Sequence, residues 1–202
     1  MSTLSKVTAF VDWDTARRVL PRSTTVTNRH MEDVITKLQD AIANYLHTID
    51  SKKTYRVQWR IYHGWYRGKT KTEDRRLFEN YVVIARSRTL RSISFSTDFK
   101  FGDMLCCNSH RNPLFDTLRL NRDTHVPEQK MVDTALVCDL LHLVRTRESE
   151  FYIVISNDDD LIPALFTAES WRANVVMLHN RENMNSHLRL SGLADRMNFK
   201  WI

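Results

Sequence analysis

A chain of 202 residues with 42% hydrophobic residues can bury one substantial core, and only 4 glycines and 4 prolines leave little room for flexible linkers. We therefore expect a single domain that spans residues 1–202. The net charge of +6 and the isoelectric point of about 9.4 are typical of proteins with a polyanionic partner, although a basic surface also improves solubility.

Membrane insertion and a disulfide framework are both disfavoured. No apolar run approaches the roughly 20 residues that span a bilayer, and the N-terminal segment meets acidic residues too soon for a secretory signal. The three cysteines, two of them adjacent, are a poor disulfide set, so we expect reduced thiols in a cytoplasmic protein. A metal site of Cys106, Cys107 and His110 is the less favoured alternative, because a structural zinc needs a fourth ligand.

The first half of the chain predicts two strands and one long helix. Residues 7–11 form a β-rich apolar run that ends at Asp12. Apolar residues at three- to four-residue spacing predict a helix over about 31–49, and alternation predicts a second strand over 55–62. A loop is expected directly after this strand, and residues 81–85 are either a third strand or the buried end of a helix.

The second half predicts strands that alternate with helices. Residues 86–126 are polar and irregular, which suggests an elaboration that contains a hairpin near 92–99. One helix is expected from Pro127, which suits a first helical turn, and a short one from Leu161 or Ile162. Apolar runs predict three more strands, at 151–155, 175–178 and 199–202. The alternation predicts an α/β fold with a central, mainly parallel sheet and right-handed crossovers.

Carboxylates follow two of the apolar strands. Asp12 ends the first strand, and Asp158 follows a later strand after two polar residues. Because ligands bind beyond the carboxyl ends of parallel strands, we expect both side chains at the functional edge of the sheet. Asp133 lies about two turns into the helix that is expected from Pro127, and spacing alone does not place it at that edge.

A cluster of such carboxylates repels itself unless a cation neutralises it. Oxygen ligands without histidine or cysteine suit Mg²⁺ or Mn²⁺, and such an ion can activate water and stabilise charge on a phosphodiester. The competing interpretation makes Asp158 or Asp160 a helix N-cap, although it explains three adjacent aspartates poorly. Asp139 lies roughly 240° around the helix from Asp133, so we expect it to support the site, for example by pairing with an arginine.

Three segments together resemble the NYN domain, a branch of the PIN-like nucleases: VTAFVDWD, EQKMVDTALVCDLL and FYIVISNDDDLIPAL. They match, in order, a strand that ends in aspartate, a Lys-x-x-Asp helix, and a strand followed by Ser-Gly-Asp-x-Asp-Phe. NVVML and SGLADRMNF also fit this order, whereas residues 86–126 match poorly. The resemblance implies a PIN-like three-layer fold and Mg²⁺- or Mn²⁺-dependent hydrolysis of phosphodiester bonds, usually in RNA.

By position, the resemblance implies four residues that bind the metal and form the catalytic centre, which are Asp12, Asp133, Asp158 and Asp160. Asp14 falls where the family often has a further acidic residue and is a secondary metal ligand. Lys130 matches a lysine that contacts phosphate or orients a carboxylate. Thr15 replaces the usual Asn but can still donate a hydrogen bond, and Asn157 replaces the usual Gly and tolerates a left-handed backbone. Ser156 matches the family residue and is a supporting group.

Basic and aromatic residues interleave between positions 59 and 71. Alternation places Trp59 in the core, so the better candidates for contact with a single strand lie in the expected loop: Trp65, Tyr66, Arg67 and Lys69. Arg17, Arg18 and Arg22 follow the first strand and are expected to hold a phosphate backbone near the metal. Three histidines lack a readable partner and receive no catalytic role: His63, His110 and His142.

The sequence therefore predicts an endoribonuclease that acts on single-stranded or structured RNA, with a homodimer or a protein partner left open. One alternative is a catalytically inactive NYN-type module that binds RNA or protein, but a binder of polyanions gains nothing from clustered carboxylates. A second is a HAD-type phosphatase, whose nucleophile motif resembles Asp12-Trp13-Asp14-Thr15. That family normally places a further residue before its Thr, and it leaves Asp133 unexplained.

Overall fold

Strands and helices alternate along the chain, as the hydrophobic pattern predicts. The computed structural model describes residues 4–20, 27–108, 112–179 and 199–201, with side chains in all but the last range. The strands are β1 (Leu4–Asp12), β2 (Thr54–Tyr62), β3 (Tyr66–Arg67), β4 (Thr70–Lys71), β5 (Arg88–Leu90), β6 (Ile93–Phe101), β7 (Leu118–Leu120), β8 (Pro127–Gln129), β9 (Phe151–Ile155), β10 (Asn174–His179) and β11 (Phe199–Trp201). The helices are α1 (Trp13–Ala16), α2 (Asn28–Ile49), α3 (Glu73–Ile84), α4 (Val132–Thr146) and α5 (Ile162–Ser170).

Seven of these strands form one central sheet in the order β11-β10-β9-β1-β2-β6-β5. The first six in that order run parallel, and β5 pairs antiparallel with β6. The fold is therefore mixed α/β with a mainly parallel sheet, as the sequence predicts. Two short antiparallel hairpins, β3–β4 and β7–β8, lie outside this sheet.

The register of the sheet brings the carboxyl ends of its central strands to one edge. Val11 of β1 pairs with Ile61 of β2 on one side and with Ile155 of β9 on the other. The residues that follow these positions therefore leave the sheet side by side. We call this the carboxyl edge, and it carries Asp12.

Helices cover both faces of the sheet because side chains alternate along each strand. Val7, Ala9 and Val11 of β1 pack in one buried cluster with the apolar stripe of α2, while Phe10 packs in a second cluster with α4 and α5. Helix α2 begins where the Thr27 hydroxyl accepts a hydrogen bond from the His30 amide at 3.2 Å. Within the described ranges, each helix is too short or too polar to cross a bilayer.

The segment 86–126 contributes to the sheet, although the sequence suggested an irregular elaboration. It supplies the hairpin β5–β6, and β6 pairs in parallel with β2. Of the two alternatives for residues 81–85, the end of a helix is confirmed, because residues 81–84 complete α3, but Val83 and Ile84 there are 84% and 57% exposed rather than buried. The apolar sequence of this run suggests burial, but the sequence does not show whether another segment covers this end of the helix.

The predicted helix start at Pro127 is wrong. Residues Pro127–Gln129 instead form β8, which pairs with β7, and α4 begins at Val132 after Met131, which has φ 67° and provides no side-chain cap. Pairing with β7 in this hairpin overrides the local preference of proline for a first helical turn. Asp133 therefore lies in the first turn of α4 rather than two turns into it.

Candidate active site

Asp12 is the most firmly held carboxylate of the carboxyl edge. Its Oδ1 accepts a hydrogen bond from the Asp14 amide at 3.0 Å, and its Oδ2 accepts from the hydroxyls of Thr15 at 2.7 Å and Ser156 at 3.0 Å. Burial raises the pKa of Asp12 and the two hydroxyls oppose this rise. The side chain is thus fixed in one orientation before any ligand arrives.

The same hydroxyls tie the end of β1 to the loop after β9. Thr15 Oγ1 accepts a hydrogen bond from the Asn157 amide at 3.0 Å, and Ser156 Oγ accepts from the Asp158 amide at 3.1 Å. Thr15 therefore donates a hydrogen bond as predicted, although it stands where the resembled family has Asn. Asn157 is not among the residues with positive φ, so the left-handed backbone expected there does not occur.

Asp158 fills the N-cap position that the competing interpretation assigned to it. Its Oδ1 accepts a hydrogen bond from the Asp160 amide at 2.9 Å, at the start of the short 3-10 helix Asp159–Leu161. The cap uses one carboxylate oxygen, and the described residues donate no hydrogen bond to Oδ2. Capping and metal binding by Asp158 are therefore compatible, because they use different oxygen atoms.

Asp133 faces the same carboxylates from the first turn of α4. Partial burial, followed by the negative charges of Asp158, Asp12 and Asp160, raises its pKa from 3.8 to about 6. Asp133 thus lies within electrostatic reach of the other three carboxylates that the sequence nominated for the metal and catalytic centre. Their assignment as metal ligands stays a prediction.

The donor set of this cluster is composed of carboxylate oxygens, which suit Mg²⁺ or Mn²⁺. As placed, no three His, Cys, Asp or Glu side chains in the described ranges are close enough together to hold an ion. Asp133 and Asp160 are exposed, so rotation of their side chains towards Asp12 meets little resistance. The chemistry of the residues therefore fits a hard divalent cation, with these two side chains as the adjustable ligands.

The raised pKa of Asp133 predicts a characteristic pH dependence of stability when metal is withheld. The folded protein holds this proton up to about pH 6, whereas the unfolded chain releases it near 3.8, so the stability contribution is lost as pH rises through about 6. We expect Asp133→Asn to remove this loss. Urea unfolding in EDTA at about pH 5 and about pH 7 checks it, and an equal effect of the substitution at both pH values would contradict it.

Asp14 belongs to a separate polar network at the same edge. Its two carboxylate oxygens contact the Arg17 guanidinium and the Gln129 side-chain amide. Gln129 also lies 3.1 Å from His63 Nδ1, and His63 Nε2 lies 2.8 Å from Asp74 Oδ2. With Gln129 donating from its amide nitrogen, His63 accepts at Nδ1 and donates from Nε2. These contacts occupy Asp14 and leave it less available to a metal than the four clustered carboxylates.

Sequence reasoning missed three members of this network: His63, Asp74 and Gln129. A readable signal existed only for His63, which directly follows β2 at the carboxyl edge, as Asp12 ends β1. The hydrogen bond from His63 is the largest cause of the lowered pKa of Asp74. Arg17 Nη1 also lies 3.6 Å from Asp74. The carboxylates of Asp14 and Asp74 therefore already neutralise the Arg17 guanidinium, and a phosphate would have to compete with them for it.

The predicted stacking of Trp65 and Tyr66 on bases is corrected. These residues are 0% and 8% exposed, because the ring of Trp65 packs against α3 and β6 and the ring of Tyr66 packs against Phe115. Trp65 Nε1 donates a hydrogen bond to the Ile61 carbonyl at 3.2 Å. Arg67 and Lys69 are exposed on this hairpin, so their predicted contact with nucleic acid stays a prediction.

The remaining predicted cations differ in their surroundings. Arg18 is exposed, and Lys130 pairs with Glu128 at 2.7 Å. Arg22 and His110 lie outside the described residues, as does nearly all of the SGLADRMNF segment.

Asp139 is 0% exposed and pairs with Arg60 at 2.7 Å, which confirms the predicted pairing with an arginine. It is buried in its own network, apart from the exposed face of the carboxylate cluster.

Comparisons with protein-family models, with curated proteins and with solved structures give no match for this chain. The resemblance to the NYN domain therefore rests on the three sequence motifs and on their order along the chain. The chemistry of the site rests on its own residues, which combine a rigidly held Asp12, a capping Asp158 and the exposed carboxylates of Asp133 and Asp160.

Proposed function

We propose that this chain is a metal-dependent nuclease that hydrolyses phosphodiester bonds of RNA. The observation that supports it is the convergence of Asp12, Asp133, Asp158 and Asp160 at the carboxyl edge, where partial burial and then the negative charges of the other three carboxylates raise the pKa of Asp133 to about 6. Unrelieved repulsion of this kind costs stability, and a divalent cation relieves it. We also propose that the fold is PIN-like and that the chain is a member of the NYN family, because the three motifs occur in the order of that family.

The four carboxylates would hold Mg²⁺ or Mn²⁺, with Thr15 and Ser156 orienting Asp12. The bound ion supplies a Lewis acid that activates water and stabilises negative charge on the scissile phosphodiester. The hydroxyls of Thr15 and Ser156 occupy both lone pairs of Asp12 Oδ2, and the Asp14 amide occupies one lone pair of Oδ1, so the second lone pair of Oδ1 is the one left for a cation. Preorganised ligands of this kind avoid the entropic cost of ordering the site when substrate binds.

Exposed cations near this edge favour a polyanionic substrate. Arg18 follows α1, and Arg67 and Lys69 project from the β3–β4 hairpin. Such side chains attract a phosphate backbone and offset the negative charge that the carboxylates present to it. A pure binder of RNA gains no affinity from four clustered carboxylates, which favours catalysis over binding alone.

The test is cleavage of a circular single-stranded RNA, which has no ends and so is opened only by an endonuclease. We expect purified protein to linearise it with Mn²⁺ or Mg²⁺ and not in EDTA. Asp158→Asn should abolish cutting, whereas Asp98→Asn, a control on a side chain that is 65% exposed and distant in sequence from the cluster, should leave it unchanged. RNA that is bound but uncut with both metals would favour the inactive binding module instead.

A further inference from the structure

A cavity lies at the edge of the sheet opposite to the carboxylates. It has a volume of about 600 Å³ and is formed where β1, β9 and β10 begin and where α4 and α5 end. Lys6, Arg147, Arg172 and Trp171 are among its lining residues. Because Leu4 and Lys6 of β1 line this opposite-edge cavity and Asp12 ends the same strand, roughly 20–26 Å of sheet separates the cavity from Asp12.

The charge of the cavity is positive and largely uncompensated. Within the described part of the chain, Lys6, Arg147 and Arg172 form no ion pair with a carboxylate. Two acidic residues also line the cavity, but Glu150 is engaged by Lys53 at 2.7 Å and by the Ser5 hydroxyl at 3.0 Å. Glu148 is therefore the one carboxylate set against three cations, and the cavity attracts anions.

Both arginines are held in a backbone conformation that L-residues adopt at a cost. Arg147 has φ 54° and Arg172 has φ 62°, at the positions that end α4 and α5 and that usually carry glycine. Their charges complement the helix dipoles, which offsets part of this cost. Two cations from the ends of two different helices therefore line the same cavity.

Trp171 adds an exposed aromatic residue to the lining of the cavity. It is 48% exposed, whereas Trp13, Trp59 and Trp65 are at most 1% exposed. An exposed indole among unpaired cations is the composition of sites that stack a base and bind the adjoining phosphates. Packing in the core accounts for only part of its surface, because about half of the residue faces solvent.

We propose that the opposite-edge cavity binds a nucleotide of single-stranded RNA, with a base stacked on Trp171 and phosphates paired with Lys6, Arg147 and Arg172. The volume suits one nucleotide, since ligand cavities of about 300–1,000 Å³ hold molecules of this size. The proposal does not depend on nuclease activity, because no residue of the carboxylate cluster lines this cavity. It assigns the chain a second contact with RNA, remote from the proposed centre of cleavage.

The test measures fluorescence anisotropy of fluorescein-labelled hexa-adenylate with the full chain in EDTA. The double variant Arg147→Gly with Arg172→Gly removes both cations, while glycine accommodates the positive φ, so the fold is retained. We expect affinity to fall about tenfold, and the salt dependence of log K to become shallower by about 1.4, since each lost contact with a single strand removes about 0.7. Trp171→Ala should weaken binding by about tenfold through lost stacking.

A matched variant separates this site from general charge. Arg91→Gly removes an exposed arginine that also has positive φ, 56°, but lies outside the cavity, and its affinity should equal that of wild type. Unchanged affinity and salt dependence in the double variant would overturn the proposal, as would an equal loss in Arg91→Gly.

Discussion

Replacement of Asp12 by asparagine is expected to lower the single-turnover rate of metal-dependent RNA cleavage by about a thousandfold, equivalent to about 4 kcal/mol of transition-state stabilisation. Asp12 is the carboxylate held by three hydrogen bonds, from the Asp14 amide and from the hydroxyls of Thr15 and Ser156. The amide of asparagine has the same shape but lacks the charge that neutralises a divalent cation. The loss therefore falls on metal binding and catalysis rather than on the fold.

The stability of the Asp12→Asn variant is the control for this result. The asparagine oxygen can still accept from the Asp14 amide, and its NH₂ group can donate to the two hydroxyls, so we expect a change in unfolding free energy of about 1 kcal/mol. Urea unfolding and circular dichroism measure this directly. A cleavage rate within a few-fold of wild type, in a folded variant, would remove Asp12 from the catalytic centre.

Replacement of Asp139 by alanine is expected to cause the largest loss of stability, about 3–5 kcal/mol. Asp139 is 0% exposed and accepts hydrogen bonds from Arg60 at 2.7 Å, from the Tyr62 hydroxyl at 2.8 Å and from the Cys106 amide at 2.6 Å. Its removal leaves the Arg60 charge largely buried without a counter-ion. For a chain of this length, the expected fall in Tm is roughly 10 °C.

Two comparisons isolate the buried charge in this prediction. Asp98→Ala breaks the pair with Lys100, in which both side chains are well exposed, and should cost less than about 1 kcal/mol. Adding Arg60→Met to Asp139→Ala should recover part of the stability, because it removes the unpaired charge. Thermal and urea unfolding of the three variants supply the measurements. A cost for Asp139→Ala no larger than that for Asp98→Ala would contradict the role of the buried pair.

The positions of the main strands and the strand-end carboxylates were predictable because they are encoded locally. The runs before Asp12 and Asp158 are short, apolar and β-branched, and each ends where polar residues begin. The 3.6-residue period likewise turns Asp139 away from Asp133, which predicts its separate pairing. In each case, the information lies within a few residues of the position concerned.

The features that escaped prediction depend on contacts between separate segments. The start of α4 is displaced because Pro127–Gln129 pairs with β7, and Met131 carries no capping side chain. The ring of Trp65 packs against α3 and β6 and that of Tyr66 against Phe115, although their local composition equals that of an exposed binding loop. His63, Asp74 and Gln129 come from three segments, and only the folded chain brings them together.

Anomalous diffraction from crystals soaked in Mn²⁺ tests the central claim most directly. The account predicts a Mn²⁺ peak coordinated by oxygens of Asp12 and Asp158, with the exposed side chains of Asp133 and Asp160 turned towards the ion. Asp12→Asn crystals under the same conditions should show a weaker peak or none. A soaked wild-type crystal without a peak among these four carboxylates, or with Mn²⁺ bound only elsewhere, would contradict the assignment of a metal centre to this edge of the sheet.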